Sequence, residues 1–443
     1  MNDDPRALLA TSPMTRRQIF VVAITVGLTA LDGFDVLSSS FASPGISREW
    51  GIDRGALGVV LSMDLLGMGL GSIFLGRVAD LIGRRKTLLG CLLLMTLGMG
   101  MVVGVHDIAA LCVWRVITGL GIGGMLASNN AVAAEFSNAR RRDLAVAIMA
   151  IGYPLGAIIG GRIAAGLLKS GNWRSVFEFG AICTAAFIPL VVWCVPESVA
   201  WLCQKQPPDA LERINRSLVR IGHRRVASLP ARNELSARVA LFEIFERGRA
   251  LTTVLVTVGY FFHVTTFYFM AKWVPKIVVD MGFAPAAAAG VLVWANVGGA
   301  TGGAIFGLLT QRINLRGLTI AVLIGSTVTV ALFGHGQADL AQLSLICAAV
   351  GFCTNSGIIG FYAILARAYP ARQRATGTGF AVGAGRGGSV LAPIIAGVLF
   401  QAGFKLQTVA LCMGMGSLIA ILCIAALPAA ALMPHSASAT ERM

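Results

Sequence analysis

Ionisable residues stand inside long apolar runs of this sequence: Asp32 and Asp35 in Asp32-Gly33-Phe34-Asp35, then Asp64, Arg115 and Arg386. Two carboxylates at i and i+3 share one helix face, and in hydrocarbon they must pair with cations, face water or bind protons. The chemistry this offers is reversible protonation; capping of a helix end at the outer surface is the plainer alternative. Arg386 lies in Gly383-Ala-Gly385-Arg386-Gly387-Gly388-Ser389. Its planar fork suits a carboxylate ligand, and the flanking glycines let a flat ligand approach the backbone, unless the guanidinium serves a structural ion pair. Arg115 can hold Asp32 or Asp35 when that acid is ionised, so that a proton releases it, a pairing that rests on depth alone. Asp64 reads as a second protonation site, a partner for a cation, or a hydrogen-bonded structural acid.

The elements that must position these groups follow from composition. Of 443 residues, 56% are hydrophobic and only 13% charged, against roughly a quarter charged in a soluble domain, so a single water-soluble globule is excluded. Twelve apolar stretches occur, near residues 18 to 41, 55 to 79, 87 to 105, 108 to 134, 144 to 168, 173 to 196, 250 to 279, 284 to 310, 316 to 335, 339 to 366, 375 to 401 and 405 to 433. Each is long enough to cross a bilayer as a helix. The expected fold is therefore all-α and polytopic, with twelve transmembrane helices in two six-helix bundles, 1–196 and 250–443 (with a short tail), joined by a cytoplasmic central loop at 197–249. The net charge of +15 would suggest nucleic acid in a soluble protein. Here 26 of the 36 Lys and Arg fall on one set of alternate loops and tails and 7 on the other, which places both termini in the cytoplasm. The basic excess is an orientation signal, and no nucleic-acid partner is expected. The apolar run from Ile19 lacks a small-residue cleavage site and is expected to remain as the first span. Nine cysteines without a CxxC pair read as small buried hydrophobes.

Rise per residue sets depth. Asp32 and Asp35 come about 20 to 24 Å along the first span from Ile19, Asp64 and Arg386 about 18 Å from Gly76 and Arg374, and His263 about 21 Å along the seventh span. His263 reads as packed and hydrogen-bonded or as a proton relay. Tyr268 and Trp273, in the aromatic stretch after Phe261, are candidates to stack on a substrate ring, with packing as the alternative. Lys272 is expected to snorkel at the outer end or to attract substrate. Asn129, Asn130, Asn296 and Asn355 suit substrate hydroxyls or helix-to-helix hydrogen bonds. Glu135 is expected to form a structural charge cluster with Arg141 among Arg140 to Arg142, direct coupling to transport being the other reading. In the central loop, Leu211, Ile214, Leu218 and Ile221 recur at helical spacing between Asp209 and Gly222, as an interfacial or a solvated linker helix.

Two stretches carry a resemblance. Gly76-Arg-Val-Ala-Asp80-Leu-Ile-Gly83-Arg84-Arg85-Lys86 matches G-x-x-x-D-x-x-G-R-R-K, and Arg115-Val-Ile-Thr-Gly119-Leu-Gly121-Ile-Gly123-Gly124 matches R-x-x-x-G-x-G-x-G-G. With Pro196-Glu197-Ser198 after the sixth span, these resemble the major facilitator superfamily, which implies that Gly76, Asp80, Gly83, Arg84 and Arg85 form a cytoplasmic gate. In the second half, Gln311 stands where that acid would be, so a second latch should be weaker. Gly124, Phe136, Arg141 and Gly152 correspond to Gly357, Tyr369, Arg374 and Gly385 at a constant offset of 233, as two related halves would show. Asp32-Gly-Phe-Asp35, supported by Arg386, resembles the D-G-x-D of the aromatic acid:proton symporter family. That resemblance implies import of hydroxybenzoate, protocatechuate, hydroxyphenylpropionate or muconate-like acids with protons, by alternating access, in a bacterial inner membrane.

On this reading Asp32, Asp35 and Asp64 couple protons, while Arg386, Arg115, Tyr268, Trp273 and Asn129 contact substrate. The partners are a small organic acid, protons and the lipid bilayer, and the working unit is a monomer. No cofactor, metal site or catalytic residue is expected, since no HExxH, nucleophile elbow, phosphate loop or metal-ligand cluster occurs. Proton-coupled efflux and uptake of another metabolite are the alternatives; the fifth span lacks the contiguous G-P-x-x-G-G of antiporters.

Overall fold

The computed structural model describes residues 4–230, 241–246, 249–336, 338–370 and 373–428. Arg372 and Arg442, counted above as basic markers, lie outside the described residues, as does part of the central loop. Fifteen α-helices are present and no strand occurs among the described residues: α1 Pro5–Thr11, α2 Arg16–Trp50, α3 Arg54–Ile82, α4 Arg84–Val102, α5 Ile108–Glu135, α6 Arg142–Leu167, α7 Arg174–Cys194, α8 Val199–Lys205, α9 Ala210–Arg220, α10 Ala250–Asp280, α11 Pro285–Leu309, α12 Leu315–Gly334, α13 Leu340–Ala368, α14 Arg374–Gln401 and α15 Leu406–Ala425. Twelve of them, α2 to α7 and α10 to α15, are long and apolar enough to cross a membrane. The chain is a multi-pass membrane protein of two six-helix bundles.

Some bounds differ from expectation. The last helix stops at Ala425 instead of running to residue 433, because Pro428 two residues beyond the cap has no amide hydrogen to continue it. Two short helices, α1 and α8, were not expected. The Asp4 carboxylate starts α1 by accepting from the Arg6 amide at 2.8 Å, and the Ser198 hydroxyl starts α8 by accepting from the Trp201 amide at 3.1 Å. The central-loop helix α9 begins after Asp209, but Asp209 is in a left-handed conformation and its side chain makes no capping bond. Its apolar stripe of Ile214, Leu218 and Ile221 is fully buried in protein, so neither a lipid-embedded nor a solvated apolar face describes it.

Two compact units are found. One comprises Met1–Ser38, Met63–Gly160 and Arg174–Ser236; the other comprises Ser39–Ser62, Gly161–Trp173 and Ala237–Met443. Within the first, glycines decide which helices touch. A Cβ on Gly119 would strike the Asp64 carbonyl and one on Gly123 the Met68 carbonyl, both on α3, while Gly121 and Gly124 face Cys91 on α4. The glycine-rich motif thus seats α5 backbone-to-backbone on α3 with its other side against α4. Gly33, between the two acids, faces the Tyr153 carbonyl, and Gly152 and Gly156 face carbonyls of α2, so α2 and α6 are in the same kind of contact.

The second unit repeats this plan. Gly385 of α14 packs on the ring of Tyr260 in α10, as Gly152 of α6 packs on α2. Phe136 and Tyr369 are each the buried residue that ends a helix, α5 and α13. At these two pairs, Phe136 with Tyr369 and Gly152 with Gly385, the offset of 233 joins similar places in the two units; Gly124 and Gly357 differ, the first facing α3 and α4 and the second His263 and Leu323. All nine cysteines are free thiols, most of them at least half-buried.

Close packing at Gly119 leads to a prediction. Gly119→Ala should lower the thermal unfolding temperature in detergent by the equivalent of about 1 to 3 kcal/mol, because a methyl there displaces α3. Gly307→Ala, where a Cβ meets nothing within 4 Å, should leave it unchanged or slightly raised. Equal effects at both positions would contradict the packing described.

Candidate functional site

The glycine contacts between α3 and α5 bring Asp64 opposite Arg115, and both side chains are completely buried. Arg115 Nη2 donates to Asp64 Oδ2 at 2.8 Å and to the backbone carbonyl of Asp35 at 3.0 Å, while Nη1 faces the Met99 sulfur at 3.2 Å. The guanidinium carbon lies 5.4 Å from the centre of the Phe177 ring. Asp64 Oδ1 accepts from the Leu65 amide at 2.8 Å. The ion pair therefore joins Arg115 to Asp64, where depth alone had suggested Asp32 or Asp35. Of Asp35, Arg115 holds the peptide carbonyl rather than the carboxylate.

Asp32 and Asp35 are buried on α2, and all four of their carboxylate oxygens are without a hydrogen-bond donor among the described residues. Asp35 lies beside α7, where a Cβ on Gly180 would stand 3.3 Å from Asp35 Oδ1, and near Thr184, whose hydroxyl donates to the Gly180 carbonyl. Between the two acids, Phe34 meets Phe179 edge to face at 5.4 Å. Burial makes an ionised carboxylate costly unless a donor or a cation answers it. A proton or a cation would answer that cost.

Asn129 donates from Nδ2 to the Thr25 carbonyl and the Thr29 hydroxyl, both at 2.8 Å, which ties α5 to α2. Its amide nitrogen is thus engaged in helix packing, and only its buried Oδ1 lacks a donor. Asn130 and Asn296 bond carbonyls of their own helices, and Asn355 bonds the Gly299 carbonyl across to α11.

In the second unit, Arg386 is half-buried on α14, and its carbonyl accepts from the Ser389 hydroxyl at 2.7 Å. Gly385, Gly387 and Gly388 bring this stretch against Tyr260, Phe261 and Thr265 of α10. Tyr260 in turn shares a hydroxyl contact of 3.2 Å with Tyr362, and the charge of Arg386 acts on it. Tyr268 is half-buried and meets Phe267 edge to face. Trp273, expected to offer a stacking surface, has 1% of its surface exposed, donates from Nε1 to the Pro393 carbonyl at 3.1 Å and packs on Phe400. It fastens α10 to α14.

Lys272 does not snorkel. It is fully buried and donates to the Ser39 hydroxyl at 3.1 Å, because the end of α2 from Ser39 onward packs within the same unit as α10. His263 is fully buried with both nitrogens engaged. The Thr354 carbonyl at 2.9 Å can only accept, so Nε2 carries hydrogen, and Nδ1 faces the Ser417 hydroxyl at 3.0 Å. Ser417 continues to Ser326 at 2.9 Å, a polar tie among α10, α12, α13 and α15.

The motif after α3 also assembles in the first unit. Gly83 turns with φ of 108°, and a Cβ there would strike the Glu197 carboxylate. With glycine at the start of α4, no side chain of the turn caps that helix. Glu197 supplies the cap: its Oε1 accepts from the amides of Arg84 at 2.8 Å, Arg85 at 3.2 Å and Ser198 at 3.0 Å. Arg84 bridges Asp80 at 2.7 Å and Glu135 at 3.5 Å, and Trp201 donates to the Asp80 carbonyl at 3.0 Å. Gly76 faces Ala127 at ordinary contact distance. Glu135 therefore finds its cation in Arg84, not Arg141: α5 ends at Phe136, and the turn at Asn138 to Arg141 leaves Arg141 exposed. In the second unit Gln311 is exposed, and Arg316 instead donates to the carbonyl of Ala425. Sequence reasoning passed over Glu197 as a functional group. The signal was available, because a glycine before a helix requires an acceptor from elsewhere.

The Major Facilitator Superfamily profile matches residues 25–341. The gallate transporter of Pseudomonas putida is 28% identical over 434 residues, covering 96% of this chain and 94% of that protein. The 4-hydroxybenzoate transporter PcaK of the same organism is 28% identical over 413 residues, covering 92% of this chain and 91% of its own. The 3-(3-hydroxy-phenyl)propionate transporter of Escherichia coli (strain K12) is 27% identical, covering 88% and 89%. Among solved structures, the crystal structure of a D-xylose-proton symporter superposes with a TM-score of 0.72 at 17% identity, over 94% of this chain and 99% of that one.

The buried pair allows a direct test. Asp64→Asn strands Arg115 among apolar neighbours and should lower stability by about 3 to 5 kcal/mol in denaturant unfolding, while adding Arg115→Gln should recover part of that loss. A double variant no more stable than Asp64→Asn alone would show that the two charges are not each other's principal partners.

Proposed function

The chain belongs to the Major Facilitator Superfamily, as a transporter and not an enzyme, and from that membership we propose that it imports an aromatic or related organic acid together with protons, by alternating access. One observation carries the proton coupling. Arg115 is engaged by Asp64 and by a backbone carbonyl, while the carboxylates of Asp32 and Asp35 are buried without a donor among the described residues. Asp32 and Asp35 are the proton carriers, and Asp64 holds Arg115 in place beside them. A proton-motive force drives a monoanion inward only when enough positive charge travels with it, and two titratable acids on one helix supply that need.

Arg386 is the ligand for the substrate carboxylate. Its guanidinium fork and the glycine-rich backbone around it suit a flat anion, and Tyr260 and Tyr268 offer aromatic surface on the neighbouring helix. The relatives' names support the substrate class: they are transporters of gallate, 4-hydroxybenzoate and 3-(3-hydroxy-phenyl)propionate. In this reading residues 1–196 and 250–443 move as the two halves of a monomer. The 197–249 segment and both termini lie in the cytoplasm of a bacterial inner membrane, and the Gly76 to Arg85 turn serves as the cytoplasmic gate.

Proteoliposomes of the purified protein with an inward proton gradient should accumulate labelled 4-hydroxybenzoate, protocatechuate or gallate, and an uncoupler should abolish the accumulation. Asp32→Asn, Asp35→Asn and Arg386→Ala should each reduce it to background. Concentrative uptake that survives the uncoupler, or is unchanged in these variants, would overturn the assigned roles.

A further inference from the structure

Outside the groups assigned to transport, arginines gather in the first unit where α4, α7 and α9 meet. The carbonyl of Val192, near the end of α7, receives two guanidinium groups: Arg85 Nη2 at 2.5 Å and Arg220 Nη2 at 3.2 Å. Arg220 also donates to the carbonyl of Trp193. Two like charges thus converge on a neutral oxygen, and Arg85 Nε is buried without an acceptor among the described residues. Arg213 and Arg216 line the same cleft, about 150 Å³ in volume, together with Ser217. The carboxylate in its wall is Glu197, which accepts the amides of Arg84 and Arg85 at the start of α4 and of Ser198, and whose single charge attracts Arg85 but leaves the cleft with an excess of positive charge. Arg216 pairs at 2.7 Å with Glu212, one turn back on its own helix and exposed.

Four guanidinium groups around a small cleft call for an anion with several oxygens, and a phosphate meets that geometry through bidentate bonds. The depth of the cleft identifies its source. Val192 and Trp193 lie in the last turn of a membrane-spanning helix, and Trp193 is 71% exposed, as tryptophans at the headgroup level are. Val219 of α9 is exposed beside the same arginines. On the other flank of α9 a larger cleft of about 640 Å³ is again basic, lined by Arg17, Arg216, Arg220 and Arg225 with Glu212.

We propose that the cleft between the ends of α4 and α7 and the arginine face of α9 binds the phosphate of an anionic phospholipid headgroup. The bound phosphate screens Arg85 from Arg220 and fixes α9 to the end of α7. Because Arg85 follows the Gly83 turn directly, the lipid also steadies the turn that Glu197 caps.

The test uses the full-length protein in nanodiscs of phosphatidylcholine alone or mixed equally with phosphatidylglycerol, with retained lipids read by native mass spectrometry and stability by thermal unfolding. Phosphatidylglycerol should be retained over phosphatidylcholine by at least about tenfold, since each basic residue near a membrane surface favours anionic lipid by roughly fivefold and several act together here. It should also raise the unfolding temperature. The combined variant Arg213→Gln/Arg216→Gln, at one half-buried and one exposed position, should lose most of this preference while still unfolding cooperatively, and adding Arg220→Gln should remove the rest. Arg140→Gln/Arg142→Gln, which deletes two exposed arginines elsewhere, should keep it. Equal loss in that control would mean general charge attraction and overturn the site. Stabilisation by inorganic phosphate in detergent as strong as that by phosphatidylglycerol would assign the cleft to free phosphate and overturn the lipid.

Discussion

A charge inside an apolar helix must be answered by another part of the chain, and this constraint organises both units. Arg115 is answered by Asp64, by a peptide carbonyl and by an aromatic face; Lys272 by a serine hydroxyl; His263 by a carbonyl and a hydroxyl. Asp32 and Asp35 stand apart, since their carboxylates meet no donor among the described residues. Glycines make the answers possible. Close backbone approach of α5 to α3, and of α6 to α2, leaves room for nothing larger than hydrogen at the crossing points, and the first brings the short side chain of Asp64 within reach of Arg115.

The order of spans and the identity of the intramembrane ions were legible because hydropathy is a one-dimensional property. Runs of apolar residues announce helices, and a carboxylate within one announces itself. Partnership was less legible. Counting residues gives depth along a helix but not the direction a side chain faces around it, so depth paired Arg115 with Asp32 or Asp35 and passed over Asp64. The azimuth came from the Gly67, Gly119 and Gly123 contacts, which turn Asp64 toward α5. Lys272 and Trp273 were misplaced for a related reason. Both sit near a helix end, where water or lipid is the ordinary surrounding, yet the final turns of α2 and the start of α3 pack in their unit. The apolar stripe of α9 was visible as a period, but what covered it was not.

The charged motif after α3 shows the same division between type and partner. Its residues were recognisable as a group, yet the hydrogen bonds run to residues far along the chain, Glu135 and Glu197, and Arg141 is not among them. A pattern confined to eleven residues cannot reveal that its helix is capped from more than a hundred residues away. The Pro-Glu-Ser sequence after α7 and the Gly-Arg-Arg-Lys turn before α4 are two pieces of one structural joint.

That joint has a consequence for biosynthesis. As the polypeptide leaves the ribosome, α4 is made long before Glu197, and until Glu197 arrives the amides of Arg84 and Arg85 have no carboxylate to receive them. The third span therefore begins its life with an open end and is closed only when the sixth has been inserted. The start of the third span is thus closed by a residue that follows the sixth, before the first residue of the seventh has been translated.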